Sequence, residues 1–161
     1  AEGHIMHGTS CPGFDRHQYY IFQNGQMHNG LTVVAWQLAD VNPGDGGLAL
    51  IPGTHKGNYA CPQPIRKWEA HQDIVKHVTC KAGDVVLFTE AVTHGTIPWT
   101  AEHDRRSVLF RMSPGNLAYV QGKWSAKMLD GLTPEQRAVL EPPYHHRLQR
   151  PLLTEDGSLA S

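Results

Sequence analysis

The sequence predicts a mainly β fold, either a sandwich or a jelly roll. Sixteen glycines and eleven prolines divide the 161-residue chain into short runs. β-Branched and aromatic residues fill these runs, as is typical of strands. Six or more short strands separated by turns favour two packed antiparallel sheets. The strand candidates are residues 18–23, 31–38, 47–51, 74–79, 84–89 and 107–112.

Turn and helix signals complete the predicted secondary structure. Asn24-Gly25 follows the first strand candidate and predicts a two-residue hairpin loop. One helix is expected near the end of the chain. Thr133 would be its N-cap and Pro134 its first residue, because a side-chain oxygen and a fixed φ favour these two positions. Pro142-Pro143 would end it.

Composition and charge limit the number of domains and the kinds of partner. With 40% apolar residues, the chain can bury one core. We therefore expect one domain over residues 1–150, with the helix included, and a tail at 151–161. The chain has 14 Lys and Arg against 15 Asp and Glu, a balance that favours neither nucleic acid nor a membrane surface as a partner. No apolar run approaches the about 18 residues of a membrane span.

Cysteine usage and the first residue bear on where the protein resides and on its length. The three cysteines, Cys11, Cys61 and Cys80, are an odd number without metal-type spacing. A reducing compartment is therefore expected, and we predict that the protein is cytoplasmic. Because the chain starts at Ala1 rather than at Met, we also expect that upstream residues are missing.

A repeated phrase is the main signal for chemistry. His7-Gly8-Thr9 occurs near the start and His94-Gly95-Thr96 much later, and Arg105 follows the second phrase by eleven residues. Two imidazoles from distant strands, with an arginine behind one of them, indicate an iron centre that also binds an anionic co-substrate.

Longer segments resemble a known family in the same order. The matching segments are 40–48 (DVNPGDGGL), 51–56 (IPGTHK), 83–88 (GDVVLF), His94-Gly95 and Arg105-Arg106. Together they are similar to the signature of the phytanoyl-CoA dioxygenase family, whose members are iron(II)- and 2-oxoglutarate-dependent oxygenases on a double-stranded β-helix, a cupin-like jelly roll. The similarity runs from about His4 to Tyr119, and such an ordered match is hard to obtain by chance.

The resemblance implies a role for five residues. His7 would be the proximal iron ligand and His94 the distal one. Arg105 would pair with the distal carboxylate of 2-oxoglutarate, since a guanidinium holds a carboxylate through two parallel hydrogen bonds. Thr96 and Trp36 would line the co-substrate pocket. The implied reaction is hydroxylation of a small organic substrate by dioxygen, and the scaffold does not restrict that substrate to a CoA thioester.

One position departs from the family pattern. The family has a carboxylate two residues after the first histidine, whereas this sequence has Thr9 there, and a threonine hydroxyl supplies no charge. Three outcomes stay open: Asp15 or another nearby carboxylate completes the site, water or a halide fills the position as in the related halogenases, or activity is lost. His71-Gln72-Asp73 has the required spacing but the wrong place in the signature, and His17 also lacks an acid two residues on.

The sequence therefore leaves more than one class of function. The favoured hypothesis is an oxygenase that binds Fe(II) and 2-oxoglutarate. A halogenase-like variant with Thr9 at the carboxylate position is an alternative within the same chemistry. From a different class, a jelly-roll binding module that has lost the metal is the competing hypothesis. A zinc hydrolase is less favoured, because catalytic zinc usually takes three protein ligands and no third histidine has a matching place.

Overall fold

The computed structural model describes residues 3–8, 13, 15–57, 59–114, 117 and 124–140. By contacts the chain forms two compact units, Ala1–Ser113 and Pro114–Ser161. The first unit contains all of the strands found in the described residues, and the single domain over residues 1–150 stays a prediction. Thr9 and the tail at 151–161 lie outside the described residues.

The first unit is a jelly roll, which confirms the predicted fold class. Its strands form a four-stranded sheet in the order β1-β8-β5-β6, a three-stranded sheet in the order β7-β4-β9, and the separate hairpin β2-β3. Every described pair is antiparallel. The strands are β1 (His4–His7), β2 (Tyr20–Gln23), β3 (Gln26–Asn29), β4 (Thr32–Gln37), β5 (Gly47–Leu50), β6 (Lys76–His77), β7 (Val85–Thr89), β8 (His94–Ile97) and β9 (Ser107–Met112).

Alternation along β4 shows which face of its sheet is the interior. Val33, Ala35 and Gln37 are buried, whereas Trp36 between them is 44% exposed. Successive side chains of a strand point to opposite faces, so Trp36 lies on the outer face. The core cluster consists of Leu31, Val33 and Ala35, with Val86 and Phe88 packed against it.

The register between β1 and β8 brings the two repeated phrases together. His7 pairs directly with His94, and His4 pairs with Thr96, with an irregularity between the two pairs. β8 also pairs with β5 on its other side, where Leu50 lies opposite His94. Residues far apart in the sequence therefore become neighbours in one sheet.

Several secondary-structure predictions are confirmed. At the hairpin, Asn24 and Gly25 have φ of 54° and 75°, the positive values that a two-residue turn of this type requires. Helix α3 (Pro134–Val139) has Thr133 as N-cap, and a capping box satisfies its first turn. In the described part of the chain, no helix has the length and apolar character needed to cross a bilayer.

Other elements differ from the prediction. The candidate 74–79 yields only β6, because a 3-10 turn at Gln72–Ile74 occupies its start. β1, β3 and β8 were not among the strand candidates, since histidine, glycine and asparagine within them weaken the strand signal. The sequence also did not predict two four-residue helices, α1 (Gln63–Arg66) and α2 (Ala126–Leu129).

Candidate metal centre

Three side chains converge where β1 ends and β8 begins. His7 is the last residue of β1, Glu90 lies in the turn after β7, and His94 is the first residue of β8. Glu90 Oε1 is 3.6 Å from His7 Nε2 and 3.8 Å from His94 Nε2. Each residue offers one ligand atom, and the three atoms lie within 4.8 Å of one another. This set is two imidazoles and one carboxylate.

Backbone hydrogen bonds orient both imidazoles toward the carboxylate. His94 Nδ1 lies 2.7 Å from the carbonyl oxygen of Val92. A carbonyl only accepts, so Nδ1 carries the proton and Nε2 keeps its lone pair in the neutral ring. His7 has the same arrangement more loosely, with Nδ1 3.4 Å from the carbonyl oxygen of Ile5. Such backbone partners fix the ring orientation of metal-binding histidines.

The two rings differ in burial. His94 is 6% exposed, and its ring meets that of Phe88 edge-on with centroids 5.0 Å apart. The side chain of His7 is 34% exposed. The two imidazole centroids are only 4.1 Å apart, so the rings contact each other, and an ion bound by their Nε2 atoms would be shielded on the His94 side and reachable from the His7 side.

The two histidines differ in the direction of their pKa shifts. The carboxylate of Glu90, 3.6 Å away, raises the pKa of His7, and burial partly offsets this. Burial lowers the pKa of His94, despite its bond to Val92. The neighbouring His7 lowers the pKa of Glu90, against the effect of burial. Without metal, a proton on His7 is therefore favoured over one on His94, and a cation bound between Nε2 of His7 and Glu90 would compete with that proton.

The glycine after each histidine has a steric reason. Gly8 has φ of 108°, and a Cβ there would lie 2.2 Å from the carbonyl oxygen of Val92. A Cβ at Gly95 would lie 2.8 Å from the carbonyl oxygen of His4. Gly8 thus lets the chain approach the turn that carries Glu90, and Gly95 lets β1 approach β8. The repeated His-Gly phrase is a packing requirement as well as a source of imidazoles.

Arg105 is partly buried and carries an unsatisfied donor. Its Nε is buried and has no hydrogen-bond partner among the described residues. A Cβ at Gly47 would lie 3.1 Å from this nitrogen, and Gly47 pairs with Ile97, three residues along β8 from His94. Buried unpaired donors are rare and call for an explanation. A carboxylate bound on this strand pair would provide one.

Arg111 is a second arginine near the centre, and the sequence did not single it out. It pairs with Val33 on β4, and Val33 in turn pairs with Phe88, so all three share the inner face. Phe88 contacts the ring of His94. The positive charge of Arg111 is a minor cause that lowers the pKa of each of the three converging groups.

Thr96 and Trp36, the two residues that the resemblance places in the co-substrate pocket, have different positions. Thr96 lies two residues after His94 on β8 and therefore on the same face of the strand. Trp36 lies on the outer face of β4, opposite to Ala35 and Gln37. The structure therefore does not bring Trp36 to the three converging residues.

The other histidine and carboxylate candidates lie elsewhere. Asp15 accepts a hydrogen bond from the backbone N–H of His17 at 2.8 Å and lies 3.2 Å from the ring of His17. His71 precedes the 3-10 turn that contains Asp73. Within the described ranges, the three-residue group that could hold a metal contains neither pair.

Glu90 is the residue that sequence reasoning missed. The family pattern directs attention to the position after the first histidine, whereas Glu90 comes from the turn before the second one. Its signal is the Glu-x-x-x-His spacing of Glu90 and His94. That spacing identifies no metal site by itself. The short turn between β7 and β8 is what brings the side chains of Glu90 and His94 together.

The sequence matches a known protein family. A model of the phytanoyl-CoA dioxygenase (PhyH) family matches residues 6–107, more than half of the chain. The chain belongs to the phytanoyl-CoA dioxygenase family. This membership confirms the resemblance that the sequence indicated. No curated protein matches the sequence.

Crystal structures of HygX from Streptomyces hygroscopicus share the fold. The TM-score is 0.60 at 23% identity for HygX with nickel and 2-oxoglutarate bound, and 0.59 at 23% for HygX with iron bound. HygX with nickel, 2-oxoglutarate and hygromycin B gives 0.59 at 24%. Each match covers 70% of this chain but only 51%, 52% and 50% of HygX in that order. The chain thus spans about half the length of HygX.

The converging residues fit the metal of the family. Two histidines and one carboxylate on one side of the ion form the usual ligand set of non-haem iron(II) oxygenases, which leaves coordination positions free. Ligand atoms that share one ion through bonds of about 2.1 Å lie about 3–4 Å apart. The two separations to Glu90, 3.6 and 3.8 Å, fall in this range.

Proposed function

We propose that this protein is an Fe(II)- and 2-oxoglutarate-dependent oxygenase that hydroxylates a small organic substrate. The single observation that carries the proposal is the convergence of His7, Glu90 and His94 on one point of a phytanoyl-CoA dioxygenase jelly roll. Iron bound there would activate dioxygen, with 2-oxoglutarate as the reductant. The bound ligands of HygX support this choice of metal and co-substrate.

In this proposal, Glu90 takes the place of the carboxylate that the family usually has after its first histidine. Its oxygen lies within 4 Å of both Nε2 atoms, and its single negative charge offsets part of the charge of a divalent ion. His94 would bind as the neutral imidazole that its burial favours. His7 would release its proton to solvent as the metal binds, because its side chain is partly exposed.

Arg105 is proposed to hold the distal carboxylate of 2-oxoglutarate. Its buried, unpaired Nε supports this role, since a charge-assisted pair would satisfy that donor. Gly47 leaves room for the guanidinium. Thr96 is proposed to contact the co-substrate from β8. Trp36 retains only the support of the family resemblance.

The metal site is tested by direct titration. Glu90→Ala should weaken Fe(II) and Mn(II) binding by about 100-fold or more, since even the outer partners of metal ligands are worth roughly 10–100-fold. Glu69→Ala is the matched control, because Glu69 is outside the three-residue group. Isothermal titration under anaerobic conditions measures both variants. Unchanged affinity in Glu90→Ala would remove Glu90 from the site.

The co-substrate site is tested with two arginine variants. Arg105→Gln should weaken 2-oxoglutarate binding about 10- to 100-fold, the value of a hydrogen bond to a charged group, and should leave metal affinity unchanged. Arg111→Gln should leave 2-oxoglutarate binding nearly unchanged and strengthen metal binding a little, because it removes a nearby positive charge. If Arg111→Gln weakens 2-oxoglutarate binding and Arg105→Gln does not, Arg111 is the residue that holds the co-substrate.

The alternatives have separate tests. The halogenase-like variant and the inactive module both assume a site without a carboxylate ligand. Because Glu90 supplies a carboxylate in this proposal, it supports the oxygenase instead. Two histidines and a glutamate are also ligands of catalytic zinc, so a zinc hydrolase is the second candidate function. Anaerobic addition of Fe(II) and 2-oxoglutarate should produce the weak visible charge-transfer band of a chelated keto acid. A folded protein that binds Zn(II) without this band would favour the hydrolase, and one that binds no metal would favour the module.

A further inference from the structure

β1, the strand that carries His7, has little sheet pairing to hold it. The strand is four residues long, and it is the outermost strand of its sheet as described. Its pairing with β8 is irregular between His4 and His7. An outermost strand has a neighbouring strand along one edge only. Contacts from outside the sheet therefore contribute to the position of His7.

Two side chains at the end of helix α1 bond to the backbone of β1. Arg66 Nε donates a hydrogen bond at 3.0 Å to the carbonyl oxygen of Met6, the residue before His7. Trp68 Nε1 donates one at 3.3 Å to the carbonyl oxygen of His4. These bonds join residues that are 60 and 64 positions apart in the chain. One short segment thus bonds two of the four residues of β1.

The indole of Trp68 also packs on β8. A Cβ at Gly95 would lie 3.1 Å from the indole carbon Cζ2 of Trp68. Gly95 follows His94 on β8, and successive side chains of a strand lie on opposite faces. The indole therefore lies on the face of the sheet opposite to His94, in contact with both strands that carry the histidines. Gly95 leaves the room that this contact needs.

The backbone at Trp68 indicates that its side chain is needed there. Trp68 has φ of 63°, in the left-handed region that is unfavourable for residues with a Cβ. It follows Lys67, the C-cap of α1, at the position where glycine usually has this conformation. Such strain persists only where the surrounding structure offsets it. The contacts of the indole with His4 and Gly95 provide this offset.

We propose that Arg66 and Trp68 are positioning residues for metal binding. They fix the backbone of β1, and this keeps Nε2 of His7 beside Glu90 and His94. The proposal rests on the proposed function, because it concerns a ligand of that same centre. Metal ligands must be held within about 0.5 Å of their productive geometry, so a small shift of β1 weakens metal binding.

Metal titration of the full chain measures the effect of each residue. Arg66→Met should weaken Mn(II) binding about 3- to 10-fold, less than the roughly 10–100-fold of a partner bonded directly to a metal ligand. Arg66→Lys keeps a cationic donor and should recover most of the affinity. Trp68→Phe keeps a ring, loses the N–H donor and should weaken binding about two- to threefold, the low end of the range for one neutral hydrogen bond.

Lys67→Met is the matched control for these variants. Lys67 is an exposed cation between the two positioning residues, so its removal should leave Mn(II) affinity unchanged. A loss in Lys67→Met equal to that in Arg66→Met overturns the proposal. Unchanged affinity in both Arg66→Met and Trp68→Phe overturns it as well.

A double-mutant cycle separates the positioning of His7 from a general effect on the fold. In a His7→Ala background, which retains Glu90 and His94, Arg66→Met should cause no further loss of Mn(II) affinity, because no imidazole is left on β1 to position. The same loss in both backgrounds would show that Arg66 acts on the whole fold, and the proposal would be wrong.

NMR of the metal-free protein tests the positioning without any metal. The imidazole rings of His7 and His94 have centroids 4.1 Å apart, so a nuclear Overhauser effect between them is expected in the unchanged protein and in Lys67→Met. It should be weaker in Arg66→Met and in Trp68→Phe, because β1 is held by fewer contacts. An equal effect in all four proteins contradicts the proposal.

The two measurements distinguish this proposal from the proposed function. If the metal centre is wrong, Mn(II) does not bind the unchanged protein, and the nuclear Overhauser effect still depends on Arg66. If the positioning is wrong, Mn(II) binds as expected, and neither measurement responds to Arg66→Met more than to Lys67→Met. Thermal unfolding shows which variants are folded, and Trp68→Phe carries the test if Arg66→Met is not.

Discussion

The two His-Gly pairs have the same residues and different surroundings. His94 begins β8, which has β1 on one side and β5 on the other, and it is buried. His7 ends β1, the outermost strand of that sheet as described, and is partly exposed. Burial lowers the pKa of His94, whereas Glu90 raises that of His7. Position in the sheet, and not the tripeptide, sets the proton affinity of each imidazole.

The largest difference in metal affinity is expected between two variants that each lack one of the imidazoles. His94→Ala should abolish metal binding, with a loss of about 100-fold or more, because it removes a ligand that is already neutral and fixed. His7→Ala should cost less, since metal binding to His7 must first displace a proton. Metal titration of both variants at one pH gives the ratio. An equal or larger loss of metal affinity in His7→Ala would show that burial does not determine which histidine contributes more to metal binding.

Substitutions of the glycines should distinguish an effect on metal affinity from an effect on protein stability. Gly8→Ala combines a left-handed φ with a contact at 2.2 Å, at a cost of about 1–3 kcal/mol in strain alone, and should displace the turn that carries Glu90. Metal affinity should fall in this variant more than the midpoint of thermal unfolding does.

Gly95→Ala crowds a central strand and should lower stability by about 1–3 kcal/mol. Gly25→Ala is the control for strain without a clash, because a Cβ there meets nothing within 4 Å. If Gly8→Ala behaves like Gly25→Ala, the close approach to Val92 is not needed.

The pH dependence follows from the His7–Glu90 pair. A raised pKa means that the contribution of His7 to stability is present at low pH and is lost as pH rises through its folded value, above 6.5. A lowered pKa means that the contribution of Glu90 is lost as pH falls through its folded value, below 4.5. Without metal, the stability difference between the unchanged protein and Glu90→Gln should therefore be greatest between these limits.

Metal affinity should vary in the other direction, rising with pH as His7 loses its proton. NMR titration of the imidazoles checks the cause: Glu90→Gln should lower the pKa of His7 and should change that of His94 less, because burial is the main cause there. A pKa of His7 that does not fall would contradict the pairing.

The smallest effect on co-substrate binding is expected from substitutions of Thr96 and Trp36, which distinguish the inner face of the jelly roll from its outer face. Thr96→Val should weaken 2-oxoglutarate binding about two- to tenfold, since one neutral hydrogen bond is worth about 0.5–1.5 kcal/mol. Trp36→Ala should leave metal and co-substrate binding unchanged, because this side chain lies on the outer face of β4. Titration of 2-oxoglutarate into both Mn(II)-loaded variants measures the difference. A loss in Trp36→Ala as large as that in Thr96→Val would restore Trp36 to the pocket.

Three residues of the candidate site were proposed from the sequence, and one was not. His7 and His94 were proposed because each lies in the repeated His-Gly-Thr phrase, to which the family resemblance assigned iron-ligand roles, and Arg105 because of its spacing from His94. Glu90 is in no such phrase. It is brought to the site by the turn between β7 and β8, and its backbone N–H donates to the carbonyl oxygen of Leu31 at 2.8 Å, a contact between residues 59 positions apart.

By itself, the sequence determined the β architecture, the hairpin at Asn24-Gly25, the capped helix and the family, because these depend on local turn chemistry, alternation and ordered motifs. Tertiary structure alone decided which carboxylate stands beside the two imidazoles, that Trp36 faces outward, and that the pKa of His7 is raised while that of His94 is lowered. The physical reason is that proton affinity and ligand geometry depend on burial and on neighbours supplied by other strands, and a linear pattern does not contain these.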